Sequence, residues 1–174
     1  MKSVAASFTT MNLFAAMQLC PSDMFLPSTA AAHVNDMFVS SRRGARIETG
    51  GKRPRMKGYY YEPTVLTHDK MGSRILTEEV FGPVAPVIVV KDANDAIRVA
   101  NSTEYGLGAS IWTSDLEKAE KIARQIEAGN VFINSIVKSD PMLPFGGIKA
   151  SGIGRELSRY GLLEFVNMKS IAIK

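Results

Sequence analysis

Between residues 84 and 134 the chain alternates apolar runs with helical patterns. APVIVV is followed by DANDAIRVANSTEYG, GASIWTS, a second helical stretch and NVFIN. Strand, helix, strand, helix, strand with short connections is the order of a parallel α/β sheet, because parallel neighbours must be joined by a crossover. At 174 residues, with an apolar fraction of 45% and a charged fraction of 22%, the chain is long and apolar enough to give such a sheet a core.

The local signals sharpen this expectation. APVIVV is continuously apolar, which suits a strand buried on both faces. Asp92 is placed to cap a helix whose Ala93, Ala96, Ile97 and Ala100 share one face. Ser114 and Glu117 have the spacing of a capping box, predicting a helix over residues 114–128 with Leu116, Ala119, Ile122, Ala123 and Ile126 as its buried stripe and Gly129 as its stop. Upstream, ARIETGG reads as a short strand and YYYEPTVLT, residues 59–67, as another. Ala30, Val34, Met37 and Phe38 form a helical stripe ended by Gly44. Residues 1–32 are otherwise irregular in pattern. A helix is expected over residues 155–163, and NMKSIAIK at the C-terminus alternates as a strand does.

MLPFGGIKASGIGRE, residues 142–156, holds four glycines, Lys149 and Arg155. It is not a phosphate loop of the G-x-x-x-x-G-K-[ST] kind, because Ile153 follows the second glycine, Gly152. It is not a dinucleotide fingerprint either, because Leu157 stands where the third glycine after Gly152 and Gly154 is required. Functional groups of parallel sheets collect beyond the carboxyl ends of strands, and Asn134 and the segment through Gly147 follow NVFIN directly.

Other function classes are narrowed by composition. A lone cysteine, Cys20, allows no internal disulfide and suits a reducing, cytoplasmic compartment. His33 and His68 lack metal-ligand spacing, so no metal site is expected. No apolar run reaches the ~20 residues of a membrane span. The N-terminus does not read as a secretory signal, its apolar stretch being broken by Thr9, Thr10 and Asn12. The net charge is +4, and much of the excess lies in residues 42–58. A basic nucleic-acid-binding module is the alternative for this run. It is read instead as a solvated loop between strands, without the interleaved aromatic residues that bind single strands.

TEEVFGPV and LPFGGIKASGIGREL carry a resemblance. Glu79, Phe81, Gly82, Pro83 and Val84 match an E-x-F-G-P-V block, and Pro144 to Glu156 match P-F-G-G-x-K-x-S-G-x-G-R-E without a gap. ANSTEYGLGASIWTSD between them looks like A-N-x-x-x-Y-G-L-x-A. The chain thus resembles the aldehyde dehydrogenase superfamily over residues 33–174. SDPMLPFGG with GRELSRYGLLEFVNMK is similar to the succinate-semialdehyde dehydrogenase branch.

The resemblance implies a parallel-sheet catalytic domain over residues 33–165 and an oligomerisation strand over residues 166–174. It implies NAD or NADP as cofactor and an aldehyde such as succinate semialdehyde as substrate. Glu79 would hold the nicotinamide ribose hydroxyls and Phe81 would pack near the nicotinamide. Glu78, adjacent on an extended chain, faces the other way and forms no acid–base dyad with Glu79. Asn134 and Phe145 fall at positions of the substrate tunnel, with strand capping and core packing as their plainer roles. Lys149 and Arg155 read as surface or ion-pairing groups. Gln18 and Cys20 match the family's G-Q-x-C, with Met17 where the glycine stands, so Cys20 is either a nucleophile remnant or an incidental thiol.

Members of the superfamily are much longer, with a dinucleotide-binding half before the catalytic cysteine. The expectation is therefore a truncated homologue, not competent alone and binding NAD(P) very weakly. The alternative is an active shortened enzyme, or a subunit completed by another chain. A homo-oligomer is expected through residues 166–173, where the family's last strand joins a neighbouring subunit.

Overall fold

The computed structural model describes residues 5–9, 45–58, 60–68, 76 and 82–174, without side chains for residues 5–9 and 68. The helical stripe at residues 30–38 lies outside them, as do Cys20, Glu79 and Phe81.

Eight strands and three helices make up the described architecture: β1 (Ala5–Thr9), β2 (Ala45–Thr49), β3 (Thr64–His68), β4 (Val84–Ile88), α1 (Ala93–Ala100), β5 (Tyr105–Gly106), β6 (Gly108–Trp112), α2 (Leu116–Ala123), β7 (Asn130–Ile133), β8 (Ile148–Lys149) and α3 (Ser158–Leu163). One sheet runs β1-β6-β7, a second β2-β3-β4, and β5 pairs with β8. The fold is α/β, but its sheets are mixed where a parallel sheet was expected. β6–β7 and β3–β4 are parallel, whereas β1 and β2 add antiparallel to β6 and β3. The β6–β7 pair is joined through α2, as a parallel crossover requires; β2 returns antiparallel to β3 after residues 50–63.

Strand β1 corrects the expectation that residues 1–32 are irregular throughout, since Ala5 stands opposite Trp112 and Thr9 opposite Gly108. β3 begins at Thr64, five residues later than YYYEPTVLT suggests. Pro63 has no N–H for a ladder, and the Thr64 hydroxyl is held locally, donating to the Glu62 carbonyl and accepting from the Gly51 N–H, each at 2.7 Å. β4 is not buried on both faces. Val84 is 2% exposed, but Val87 is 44% exposed and Val89, past the strand end, 84%.

The α1 expectation holds: Asp92 caps the helix, accepting from the Asp95 N–H at 2.9 Å. For α2 the cap is Asp115, not Ser114. The Asp115 carboxylate takes the Lys118 N–H at 3.0 Å, and the helix stops at Ala123, well before Gly129. Leu116 points outward, at 62% exposed, whereas Ala119 and Ile122 are buried. Ile111, Ala119 and Ile122 form the core between β6 and α2, with Ala93, Ile97, Ala123, Ile126, Val131 and Ile133 against it. Full burial of an isoleucine is worth roughly 1.5–3 kcal/mol, so this cluster fixes how α1 and α2 lie on the sheet.

α3 starts at Ser158, later than expected, because Leu157 takes φ 63° and ψ 173°, outside the right-handed helical region. Residues 166–174 form no strand within the chain and are exposed throughout.

Candidate functional site

The glycine-rich segment folds into a loop closed at its base. Phe145 and Glu156 form an antiparallel bridge, with N–H to carbonyl distances of 2.9 and 2.8 Å in the two directions. Phe145 is 4% exposed. Above the bridge the guanidinium of Arg155 donates to the Gly147 carbonyl at 2.9 Å and the Gly154 carbonyl at 2.6 Å, lacing the two arms together. The glycines are required for clearance. A Cβ on Gly147 would lie 2.6 Å from the Ser151 side chain, and one on Gly146 2.7 Å from the Gly154 carbonyl oxygen.

The loop is keyed to the sheet as well as to itself. β8 pairs with β5, so Ile148 faces Gly106 and Lys149 faces Tyr105. The Asn130 amide, at the start of β7, donates to the carbonyls of Leu107 at 3.0 Å and Gly146 at 2.9 Å. Ser151 accepts the Gly106 N–H at 3.0 Å, and the Ala150 N–H donates to Glu104 at 2.9 Å. The Lys149 ammonium pairs with Glu127 and donates to the carbonyls of Asn101 and Thr103 at 3.0 and 3.1 Å. Asn101, the C-cap of α1, is itself fully engaged: its side chain accepts from the Glu127 N–H and donates to the Gln125 carbonyl, both at 2.8 Å.

These contacts place the loop at the amino ends of β6 and β7, not beyond their carboxyl ends as expected. Asn134 occupies the other end. With φ of 51° it turns the chain back, so that Val137 passes against Gly108 before the loop begins. Its side chain accepts the Thr113 N–H and donates to the Thr113 carbonyl, each at 2.9 Å, which ties the carboxyl ends of β6 and β7 together. Asn134 and Phe145 are therefore not brought into one cluster by the described bonds. The length of β7 separates their anchoring points by about 13 Å.

Several of the loop's N–H groups are committed within the chain. The N–H groups of Phe145, Ala150, Ser151, Gly152, Arg155 and Glu156 all donate to acceptors within the protein. A nest for a pyrophosphate needs such groups converging on open space. These six N–H groups are thus not aimed at a phosphate. No group of three or more potential metal ligands occurs among the described residues, and none of their helices is long and apolar enough to cross a membrane. The basic segment is a solvated connection as expected: β2 leads into a loop in which Arg53 donates to the Gly58 carbonyl at 2.9 Å and Lys52, Arg55 and Lys57 are exposed.

Asn101 and Asn130 are structural keys that sequence reasoning missed; Lys149, read as a surface or ion-pairing group, does form an ion pair, with Glu127, and is a key as well. Their partners are 16 to 48 residues away, beyond the reach of any local pattern.

Comparison with known proteins converges. A profile described as the aldehyde dehydrogenase family matches residues 27–171. A protein named aldehyde dehydrogenase from Paenarthrobacter nicotinovorans is 49% identical over 139 residues, 79% of this chain and 30% of that protein. A probable succinate-semialdehyde dehydrogenase (NADP+) from a Synechocystis strain is 50% identical over 147 residues, 84% of this chain and 32% of that protein. Among solved structures, succinic semialdehyde dehydrogenase from Streptococcus pyogenes in complex with NADP+ has a TM-score of 0.82 at 40% identity, covering 88% of this chain and 35% of that one. The chain spans about a third of the length of the relatives it matches.

Proposed function

Because the chain belongs to the aldehyde dehydrogenase family, we propose that it carries the glycine-loop wall of a site for NAD(P)-dependent oxidation of an aldehyde, succinate semialdehyde being the first candidate, and that it does not turn over alone. The observation that carries this reading is the uninterrupted block from Pro144 to Glu156 folded as a closed, cross-braced loop. Names of the succinate-semialdehyde type among the relatives support the substrate class.

Within that reading the chain's own residues have limited tasks. Phe145, locked at the loop base, is a fixed apolar wall for the substrate. Asn134 acts at the mouth by holding the β6 and β7 ends in register. Cys20 is the candidate thiolate that attacks the aldehyde carbon, and Glu79 and Phe81 are the candidates for the ribose hydroxyls and the nicotinamide face. The nicotinamide, when bound, accepts hydride from the substrate carbon. In this reading the grip on its pyrophosphate comes from elsewhere, since the N–H groups of Ala150, Ser151, Gly152 and Arg155 are engaged within the chain. The role is therefore that of a truncated partner to a dinucleotide-binding portion, supplied by another chain or segment, within a homo-oligomer joined through residues 166–173.

The test is direct. The purified 174-residue chain is mixed with succinate semialdehyde and NADP+ or NAD+, and nicotinamide absorbance and calorimetric binding are followed. The expected result is no turnover and dissociation constants in the millimolar range or weaker. A charged acceptor such as Glu79 contributes only about 1.5–3 kcal/mol without a phosphate cradle. Turnover by the chain alone, or micromolar cofactor binding, overturns the reading.

A further inference from the structure

Lys149 stands out because its side chain is fully committed in a way that a surface lysine's is not. An ammonium has three donors and no acceptor. All three are matched here, by the Glu127 carboxylate and by the carbonyls of Asn101 and Thr103. The side chain is 25% exposed, whereas its partner Glu127 is 54% exposed. The two carbonyls belong to the end of α1 and the turn after it, where the helix presents unpaired acceptors and the negative end of its dipole. The residue holds this position at a backbone cost, with φ of 56°. A left-handed lysine persists only where surrounding contacts fix it.

We infer that Lys149 is the positioning residue of the glycine-rich wall: one charge ties the loop at once to the end of α1 and to the segment after α2. This rests on the reading of that loop as part of the aldehyde site, and it extends it by naming what holds the wall in place. The geometry is directional. Ile148 and Ala150, on either side of Lys149, are bound to Gly106 and Glu104, and Ser151 to Gly106, so releasing the ammonium leaves the arm that carries Ser151 on these bonds alone and loosens it. The other arm stays laced to the base by Arg155.

The experiment compares amide hydrogen exchange in the 174-residue chain and in its Lys149→Met, Lys149→Arg and Glu127→Gln variants. In Lys149→Met the Ala150 and Ser151 amides are expected to exchange about tenfold faster, while the β6–β7 amides keep their protection. Lys149→Arg, whose fork can reach a carboxylate and two carbonyls, should restore most of it. Glu127→Gln keeps the lysine and should give an intermediate rise, about threefold; it carries the test if the methionine variant does not fold. An amine-acetylating ester should label Lys149 more slowly than exposed Lys121 in the wild type, and faster in Glu127→Gln. Unchanged loop exchange in Lys149→Met and Glu127→Gln, a uniform rise across the whole chain, or no recovery with arginine overturns the inference. None of these readouts involves aldehyde or nicotinamide, so failure here leaves the turnover result standing, and the converse.

Discussion

The glycine-rich loop and the C-terminal segment follow each other in sequence and are built on opposite terms. In the loop, polar groups are turned inward. Phe145 is buried, Asn130 bridges two carbonyls, Arg155 bridges two more, and Lys149 satisfies three acceptors. In the segment after α3, apolar groups are turned outward: Phe165 is 90% exposed, Met168 85% and Ile173 93%. An irregular loop can hold one conformation in water when its own donors and acceptors match. An alternating apolar strand cannot, because its stabilisation lies in a neighbouring ladder and an apolar cover. The loop's polar groups are matched within the chain, whereas the tail's apolar side chains are left uncovered by the described residues.

The largest effect that would break this contrast is on assembly. The intact chain is expected to scatter as a multiple of its 19.0 kDa mass, and deletion of residues 166–173 to yield the monomer. An intact chain that stays at 19.0 kDa at high concentration would show that the exposed tail has no partner in its own kind.

The second effect sharpens the loop's side. A Cβ on Gly129 would run into the Gly146 carbonyl, backbone against backbone. Gly129→Ala should lower stability by about 3 kcal/mol and the melting temperature by about 6–12 °C, with association through the tail unchanged. A melting curve within a degree of the wild type would mean that the loop is not seated on the start of β7.

The smallest effect belongs to neither region and serves as a control. Arg98, donating at 2.6 Å, and then the Lys91 N–H hold the half-buried Asp95 carboxyl below its usual 3.8. A depressed carboxyl contributes above its unfolded value and loses that contribution as pH falls through the lowered folded value. Asp95→Asn should therefore be slightly less stable than the wild type at neutral pH. The gap should close on acidification below 3.8, read by urea unfolding across pH, with loop exchange and assembly untouched. A gap that widens in acid would contradict the assignment.

What was legible in the sequence was local. Asp92 as a cap, GASIWTS and NVFIN as strands, and the inner face of α1 follow from side-chain chemistry within one or two turns. Ser114 misled because two capping residues stand side by side. The Thr113 backbone is fixed by Asn134, and its hydroxyl accepts the Asp115 N–H at 3.1 Å, which brings Asp115 and not Ser114 into the cap. APVIVV misled because a continuous apolar run states that both faces tolerate burial, not that both are covered. The glycines of the block allow close approach, as Gly146 and Gly147 show. The block's position did not follow from sequence. The strand before it points one way, and the chain reverses at Asn134 before the loop is laid down.

The bracing of the loop also sets an order in time. Arg155 and Gly147 are 8 residues apart, whereas Lys149 and Asn101 are 48 apart. Closing the longer span costs about 1.6 kcal/mol more chain entropy, and it can form only after the end of α1 and the segment following α2 have come together. The lacing within the loop is thus the cheaper closure and is expected to form before the lysine contact. During refolding the loop is then expected to gain its shape before its address on the sheet, an order that pulsed amide exchange reads directly.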